Sequence, residues 1–505
     1  MYIKMNKHLK NIYTLISRNK LFLLFFTSIL ILRLWKVPEF FSFNFDEEYQ
    51  GSLAWEQVKN FHPIWIGVSA SNIEYYLGPG FVYLNAILFK ISNGDPISLA
   101  WFSTILGLST SLSIFYIVKN MFNKKAALIA MTIYGASSFL IYFDRRFWNP
   151  TPIPFISVWL IYSLFKGHVN PRWYILTAIL YATFYHVHLS LMLLVPLILT
   201  VLFFDRKKIQ IKNWALMIIS YFVITLPLLV FDIVHNFDNI LGPIKYFFYK
   251  NSTAGSLTIV SIRSHFLTFL NAVGKIWFMK LYTSIQDEHC ISSHCDISQA
   301  AWPLVIFSIL LLVLFIRTAI NKKGREYYIL LGEVTIFPVV FTFYTGYSAE
   351  YFLLAWYPIC CIAFGIGLSN FPSKLWIVIL AIFIFGNSLV MFTTQQEKYG
   401  LLVRKKLIKN IMPYISDAPF ELETYGTDPR LYHSYGGWRF LFKIYGKTPV
   451  RSFADPSFGW IYPDEISDKT PEYTIVVTDG TKLKTKKNPI KSFKEGNYYG
   501  YVYNN

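Results

Sequence analysis

The chain has 505 residues; 54% are hydrophobic, 19% aromatic and only 15% charged, with a formal net charge of +18. Its mean hydropathy is +0.39, whereas soluble domains carry about a quarter charged residues. Composition excludes a disordered chain, a collagen-like chain and an ordinary soluble enzyme, and leaves a polytopic membrane protein. The surplus of Lys and Arg does not mark a nucleic-acid binder. Its cations fall in short clusters between apolar runs, which is how membrane topology is written. Four cysteines give no disulfide framework.

In chain order, apolar runs long enough to span lie at about 21–36, 97–118, 126–143, 152–166, 173–204, 213–231, 302–319, 327–345, 350–368 and 374–392. The run 173–204 is too long for one span and is interrupted by Tyr185-His186-Val187-His188, so two helices with a sharp turn are expected, about eleven spans in all. Lys4, Lys7, Lys10, Arg18 and Lys20 place the N-terminus in the cytoplasm. Alternate loops are then basic: Lys119/Lys124/Lys125, Lys166/Arg172, Arg206/Lys207/Lys208/Lys212, Lys322/Lys323/Arg325 and Lys374. The alternation closes only if the apolar piece 79–91, opened by Gly78-Pro79, lies in the outer interface instead of spanning. The run 21–36 lacks a small-residue cleavage site and is read as a span, not a signal peptide.

The transmembrane module is thus expected over 1–393, with outer loops at 37–96 and 232–301. From residue 394 no spanning run follows, while Tyr473-Thr-Ile-Val-Val-Thr478 and Tyr498 to Tyr503 read as strands. A small extracytoplasmic α/β domain is expected over 394–505.

Four polar clusters fall on the outer side, where ionisable groups at span ends are functional candidates. Phe45-Asp46-Glu47-Glu48-Tyr49 offers a general base or a cation ligand, or is an acidic loop that obeys topology. Asp144-Arg145-Arg146-Phe147-Trp148-Asn149-Pro150 places two arginines against the charge bias. They suit a phosphate, or else pair with Asp144 and reach lipid headgroups. A helical period sets them about 100° apart, and the spacing to Asn149-Pro150 favours Arg145 as the one aimed at a site. His186 and His188 share a site only if the backbone between them is extended; a satisfied lone histidine is the alternative for His186. Cys290 and Cys295 suit a small disulfide loop, with zinc ligation or free thiols as the alternatives. Cys360 and Cys361 read as small apolar residues within a span.

The order of these pieces resembles family 39 of the membrane-embedded GT-C class. That is the family of polyprenyl-phosphate-sugar glycosyltransferases that includes protein O-mannosyltransferases and the lipid A aminoarabinose transferase. Asp46-Glu47 stands where the family has an Asp-Glu pair after the first span, and Tyr76-Leu77-Gly78-Pro79-Gly80-Phe81 where it has a proline-opened interfacial helix. Arg145 through Asn149-Pro150 resembles its Arg followed by Asp-Pro or Asn-Pro. His188-Leu189-Ser190 and Tyr351-Phe352-Leu353 with Tyr357-Pro358 resemble later motifs. The family's common His-Pro-Pro is here Gly78-Pro79-Gly80, and its Asp-Pro is Asn149-Pro150.

The resemblance implies a mainly α, polytopic GT-C bundle and an inverting transfer. The sugar would pass from a polyprenyl phosphate to a hydroxyl of a lipid, glycan or protein on the outer face. The Ile/Lys/Asn/Phe bias of the composition points to a bacterial chain and so to an inner membrane. Asp46 would take the acceptor proton with Glu47 assisting, and Arg145, with Arg146, would bind the donor phosphate. Asn149, His188 and Tyr351 would contact substrate. Glu48→Gln is expected to cost little in rate. No cofactor is implied; a divalent metal is chemically conceivable but not favoured. A transporter or flippase of lipid-linked sugars and a non-catalytic scaffold are the rival classes. The first is disfavoured by polar clusters that sit at span ends instead of mid-membrane.

Overall fold

The computed structural model describes residues 19–70, 75–249, 258–279, 301–344, 349–426, 435–479 and 488–505. Each apolar run is helical. The first forms Lys20–Leu34, and the segment that follows holds Phe45–Lys59 and Gly80–Ser92. Ile97–Met121, Lys124–Ala136, Ser138–Phe143, Ile153–Gly167 and Trp173–Ala182 come next, then Val195–Asp205 and Ile211–Val234. After Ile259–Lys275 come Trp302–Lys322, Arg325–Thr342, Trp356–Leu368 and Ser373–Thr393. Among the described residues four helices are long and apolar enough to cross a membrane: Ile97–Met121, Ile211–Val234, Trp302–Lys322 and the apolar part of Ser373–Tyr414. The other runs make shorter or interrupted helices. Ile219, Phe222, Val223 and Leu226 turn outward from Ile211–Val234, as a lipid-facing flank requires.

Trp356–Leu368 is the central strut, buried along its whole length, with Cys360 and Cys361 inside it. A Cβ on Gly365 would stand 2.7 Å from the Ala126 carbonyl and from the Ala130 Cβ. Small residues therefore bring this helix against Lys124–Ala136 almost backbone to backbone.

The expected run 126–143 is not one helix. Ser137 is extended and separates Lys124–Ala136 from Ser138–Phe143. A broken helix inside an apolar bundle needs new partners for its backbone. Asn387 supplies one: its Oδ1 accepts from the Ser138 amide and hydroxyl, both at 2.7 Å, and its Nδ2 donates to the Trp277 carbonyl at 2.9 Å.

Polar contacts sort the loops into two ends. At one end Lys124 meets Asn19, Lys125 meets the Phe371 carbonyl and Asn370 meets Thr318. There Asp205 binds Arg325 at 2.6 Å, His168 at 2.9 Å and the Tyr174 hydroxyl. These are the loops that charge alternation assigns to one side. At the other end Lys36 pairs with Glu397, Asp95 with Lys405 at 2.7 Å, and Asn239 Oδ1 accepts from the Tyr76 amide at 2.6 Å.

Beyond residue 393 the chain forms the small sheet domain. Strands β1 (Phe420–Tyr425), β2 (Arg451–Ser452), β3 (Tyr473–Asp479), β4 (Lys491–Glu495) and β5 (Tyr498–Asn504) run in the order β2-β1-β3-β5-β4. β1 is parallel to β2 and β3, and β5 is antiparallel to β3 and β4. Leu401–Ile411 buries Leu407 and Ile411 against Gly500 of β5. The two expected strands are β3 and β5, each other's neighbours.

Asn387→Leu should leave the Ser138 amide and the Trp277 carbonyl without their partner in a water-free setting. Each such group costs about 1–3 kcal/mol, so a fall of several degrees in the melting temperature in detergent is expected. An unchanged melting temperature would show that the break at Ser137 needs no repair.

Candidate active site

Helix Phe45–Lys59 starts where it does because Asn44 is extended and Glu47, at the third helical position, accepts from the Asn44 amide at 2.9 Å. The preceding segment is fixed by a backbone bond from the Ser42 amide to the Arg145 carbonyl, 2.7 Å. Three consecutive acids then occupy the first turn, where the helix dipole favours negative charge. Consecutive residues point about 100° apart, so the three carboxylates leave in three directions. Their surroundings differ accordingly.

The Asp46 side chain is 49% exposed and that of Glu47 is 0% exposed. Arg146 grips Glu47 through Nε to Oε1 at 2.9 Å and Nη2 to Oε2 at 3.3 Å, and reaches Asp46 Oδ2 at 3.3 Å. Its guanidinium lies over the Trp148 ring at 4.1 Å. Ser103 donates to the Arg146 carbonyl at 2.8 Å and so fixes the backbone beneath it. Burial alone would lower the Arg146 pKa, but Glu47 and Asp46 raise it further, and it stays a cation. Enclosure raises the Asp46 pKa and the charge of Glu47 adds to that, while Arg146 pulls it back. The result is a reachable carboxylate beside a fixed cation.

The two arginines are placed the opposite way from the sequence expectation. The helix ends at Phe143, and Asp144 and Arg145 form a turn on the Ile141 and Tyr142 carbonyls. The helical period therefore does not carry through to residue 146. Arg145 turns inward, donating to the Trp35 carbonyl at 2.9 Å, to that of Leu32 at 3.4 Å and to Thr104 at 3.3 Å. Asp144 does not pair with Arg146 but with Arg33, which also donates to the Gly135 and Tyr134 carbonyls at 2.8 and 2.9 Å.

A row of rings continues from Arg146. Trp148 meets Tyr351 edge-on at 4.8 Å, and Tyr351 meets His188 at 5.6 Å. His188 is extended, the condition set for the two histidines to share a site, yet only His188 joins this row; its Nδ1 accepts from the Ser190 amide at 3.1 Å. Burial pushes its pKa down to about 4, so the ring is neutral at pH 7. His186 goes elsewhere. Its Nδ1 accepts from the Gly80 amide at 3.1 Å, and its other nitrogen donates to the Ile224 carbonyl at 2.9 Å. A side chain on Gly78 would overlap its ring, which explains why Gly78-Pro79-Gly80 stands there. Asn149 accepts from Gln50 at 3.0 Å and donates to the Val187 carbonyl at 2.6 Å, lacing the helix to the histidine turn.

Sequence reasoning missed Lys275 and Glu350, a buried pair at 2.7 Å just behind Tyr351. A lone lysine in Ala272-Val273-Gly274-Lys275-Ile276 and an acid beside the Tyr351 motif were the available signals. Cys290 and Cys295 lie outside the described residues. Among the described residues no cluster of three or more His, Cys, Asp or Glu is arranged to hold a metal.

The profile of the family described as dolichyl-phosphate-mannose-protein mannosyltransferase matches residues 77–231, which include Arg145, Arg146, Asn149 and His188. No curated protein sequence matches the chain. ArnT from Cupriavidus metallidurans bound to undecaprenyl phosphate superposes with a TM-score of 0.61 at 11% identity, covering 96% of this chain and 98% of that one. Its apo form gives 0.59 at 11% identity over the same shares, 96% and 98%. The apo oligosaccharyltransferase of Archaeoglobus fulgidus gives 0.51 at 12% identity, covering 91% of this chain and 69% of that one. The chain has the fold of the GT-C class of membrane glycosyltransferases. The resemblance drawn from Asp46-Glu47, the interfacial helix and the Arg145–Pro150 turn is borne out at that level.

Arg146→Lys keeps the charge but loses the fork on Glu47. It should lower turnover by roughly tenfold or more, about 1.4 kcal/mol. Arg145→Lys should lower the melting temperature more than the turnover. Rates and melting curves of both variants decide this, and the reverse pattern would restore Arg145 to the site.

Proposed function

We propose that the protein is an inverting glycosyltransferase of the outer membrane face, using a polyprenyl-phosphate-linked sugar and a hydroxyl acceptor. The observation that carries this reading is the division of labour in the Asp46–Glu47–Arg146 cluster. One carboxylate is open to a substrate, and the other is fully buried and committed to the arginine. A single reachable carboxylate suits one in-line displacement, where one base is needed. The fold supports the donor class, since ArnT, similar in fold, has been solved with undecaprenyl phosphate. The charge alternation of the loops supports the outer orientation.

In this reading Asp46 takes the proton of the acceptor hydroxyl as its oxygen bonds to the anomeric carbon. The bond from that carbon to the phosphate oxygen breaks, and the polyprenyl phosphate leaves with the electron pair. Arg146, held by Glu47 and Trp148, faces the growing phosphate charge with the donors that the carboxylates do not use. Arg145 braces the turn from behind. Tyr351, His188 and Asn149 line the donor side. The lipid tail remains in the bilayer, because removing it costs about 0.8 kcal/mol per methylene.

Asp46→Asn keeps shape and removes basicity, and should cost about 10²–10⁴-fold in rate. Transfer from radiolabelled polyprenyl-phosphate sugar to membrane extracts in nanodiscs reads it out. Normal turnover by this variant would overturn the assignment. Translocation of the labelled donor without transfer would favour a flippase.

A further inference from the structure

The third carboxylate of the same turn has a different partner. Glu48 is fully buried, and its Oε1 accepts from the Phe440 amide at 2.7 Å, across the boundary with the C-terminal domain. Phe440 lies in the first turn of helix Trp438–Tyr445, whose N-cap is Gly437. Gly437 has φ +79°, and a Cβ there would stand 2.8 Å from the Phe43 carbonyl. The close seam thus demands a residue that cannot cap its own helix. Glu48 does the capping from the other domain, with the charge sign that a helix N-terminus favours.

The surrounding contacts hold the same turn. Phe440 stacks between Phe43 and Phe89, at 5.4 and 5.6 Å. Phe45 packs on Phe458 at 4.6 Å, and Tyr49 meets Trp460 edge-on at 4.9 Å. Arg404 donates to the Phe43 and Gly436 carbonyls and lies over the Trp438 ring at 4.1 Å. Residues 43, 45, 48 and 49, which bracket Asp46, are therefore all fixed by the C-terminal domain.

We propose that Glu48 is a positioning residue, the ionisable lock through which the C-terminal domain sets the helix turn that presents Asp46 to the acceptor. The inference rests on the transferase reading and adds to it a role for the C-terminal domain. The groups facing Glu48 are the Phe440 amide, Tyr462 and Tyr435, Arg439 with its partner Asp455, and Arg404. Burial pushes the Glu48 pKa up to about 7 against the pull of Tyr462, the Phe440 amide and the two arginines. Rate and stability should therefore move in opposite directions with pH. An acid whose folded pKa is raised stabilises least when charged, so its contribution is present below the unfolded pKa and is lost as pH rises through about 7. Charging meanwhile strengthens the bond to the Phe440 amide and tightens the lock.

The test uses the full-length protein in nanodiscs with wild type, Glu48→Gln, Glu48→Ala and Asp46→Asn side by side. Wild-type kcat should rise across pH 6–8, while the melting temperature falls as pH approaches about 7 and levels off above it. Glu48→Gln, equal in shape and neutral, should lose the part of that rise that titrates near pH 7 together with its opposing melting trend, and should keep only the rise that belongs to the Asp46 base. Glu48→Ala should lower kcat roughly tenfold, as loss of a charge-assisted bond does, with donor KM unchanged. If Glu48→Ala does not fold, the Gln variant decides alone. An inactive Asp46→Asn beside a Glu48→Gln with the wild-type pH profile would overturn this inference and leave the transferase reading standing. An active Asp46→Asn would overturn that reading itself.

Discussion

The first turn of helix Phe45–Lys59 is the constraint on which the rest depends. Three adjacent carboxylates repel one another, and a chain keeps them together only if each has its own compensation. The helix N-terminus offsets part of the repulsion. Arg146 takes Glu47 from the membrane module, Phe440 takes Glu48 from the C-terminal domain, and Asp46 remains in the opening between them. The turn is thus a keystone joining two parts of the molecule, and its exposed member inherits a fixed direction.

Buried charge elsewhere serves the same end. Arg33 lies within the first apolar helix, yet it has Asp144 and two backbone carbonyls as partners. That pair anchors the turn leading to Arg146 against the first helix. At the opposite end Asp205 gathers Arg325, His168 and Tyr174, tying Val195–Asp205 to Arg325–Thr342. Unpaired, such groups would be costly in an apolar setting; paired, they fix which helices are neighbours. Asn387 does the equivalent work for a broken backbone.

Much of this was legible in the chain. Apolar runs located the helices, because burial in a bundle leaves long unbroken hydrophobic stretches, and β3 was visible for the same reason. β4, Lys491–Glu495, is a polar edge strand with exposed lysines and reads like loop. The Asp46-Glu47 pair stood out by its position after the first span. Which arginine faces it did not, since that depends on where a helix stops, and Phe143 to Asn149 offers no sharp local stop signal. Glu48 looked redundant because its partner lies 392 residues away in sequence. The Lys275–Glu350 pair was hidden for the same reason. Long-range pairing of single polar residues leaves no periodic trace.

In the proposed mechanism Asp46 is the reactive carboxylate and Arg146 the cation beside the leaving phosphate. A structure of the protein in nanodiscs with a non-transferable polyprenyl phosphonate sugar bound tests it most directly. The phosphonate is expected within hydrogen-bond reach of the Arg146 guanidinium, with the anomeric carbon turned toward Asp46 and both Glu47 and Glu48 still on their protein partners. A phosphonate seated at the opposite end near Asp205 and Arg325, or an anomeric carbon facing away from Asp46, would contradict it.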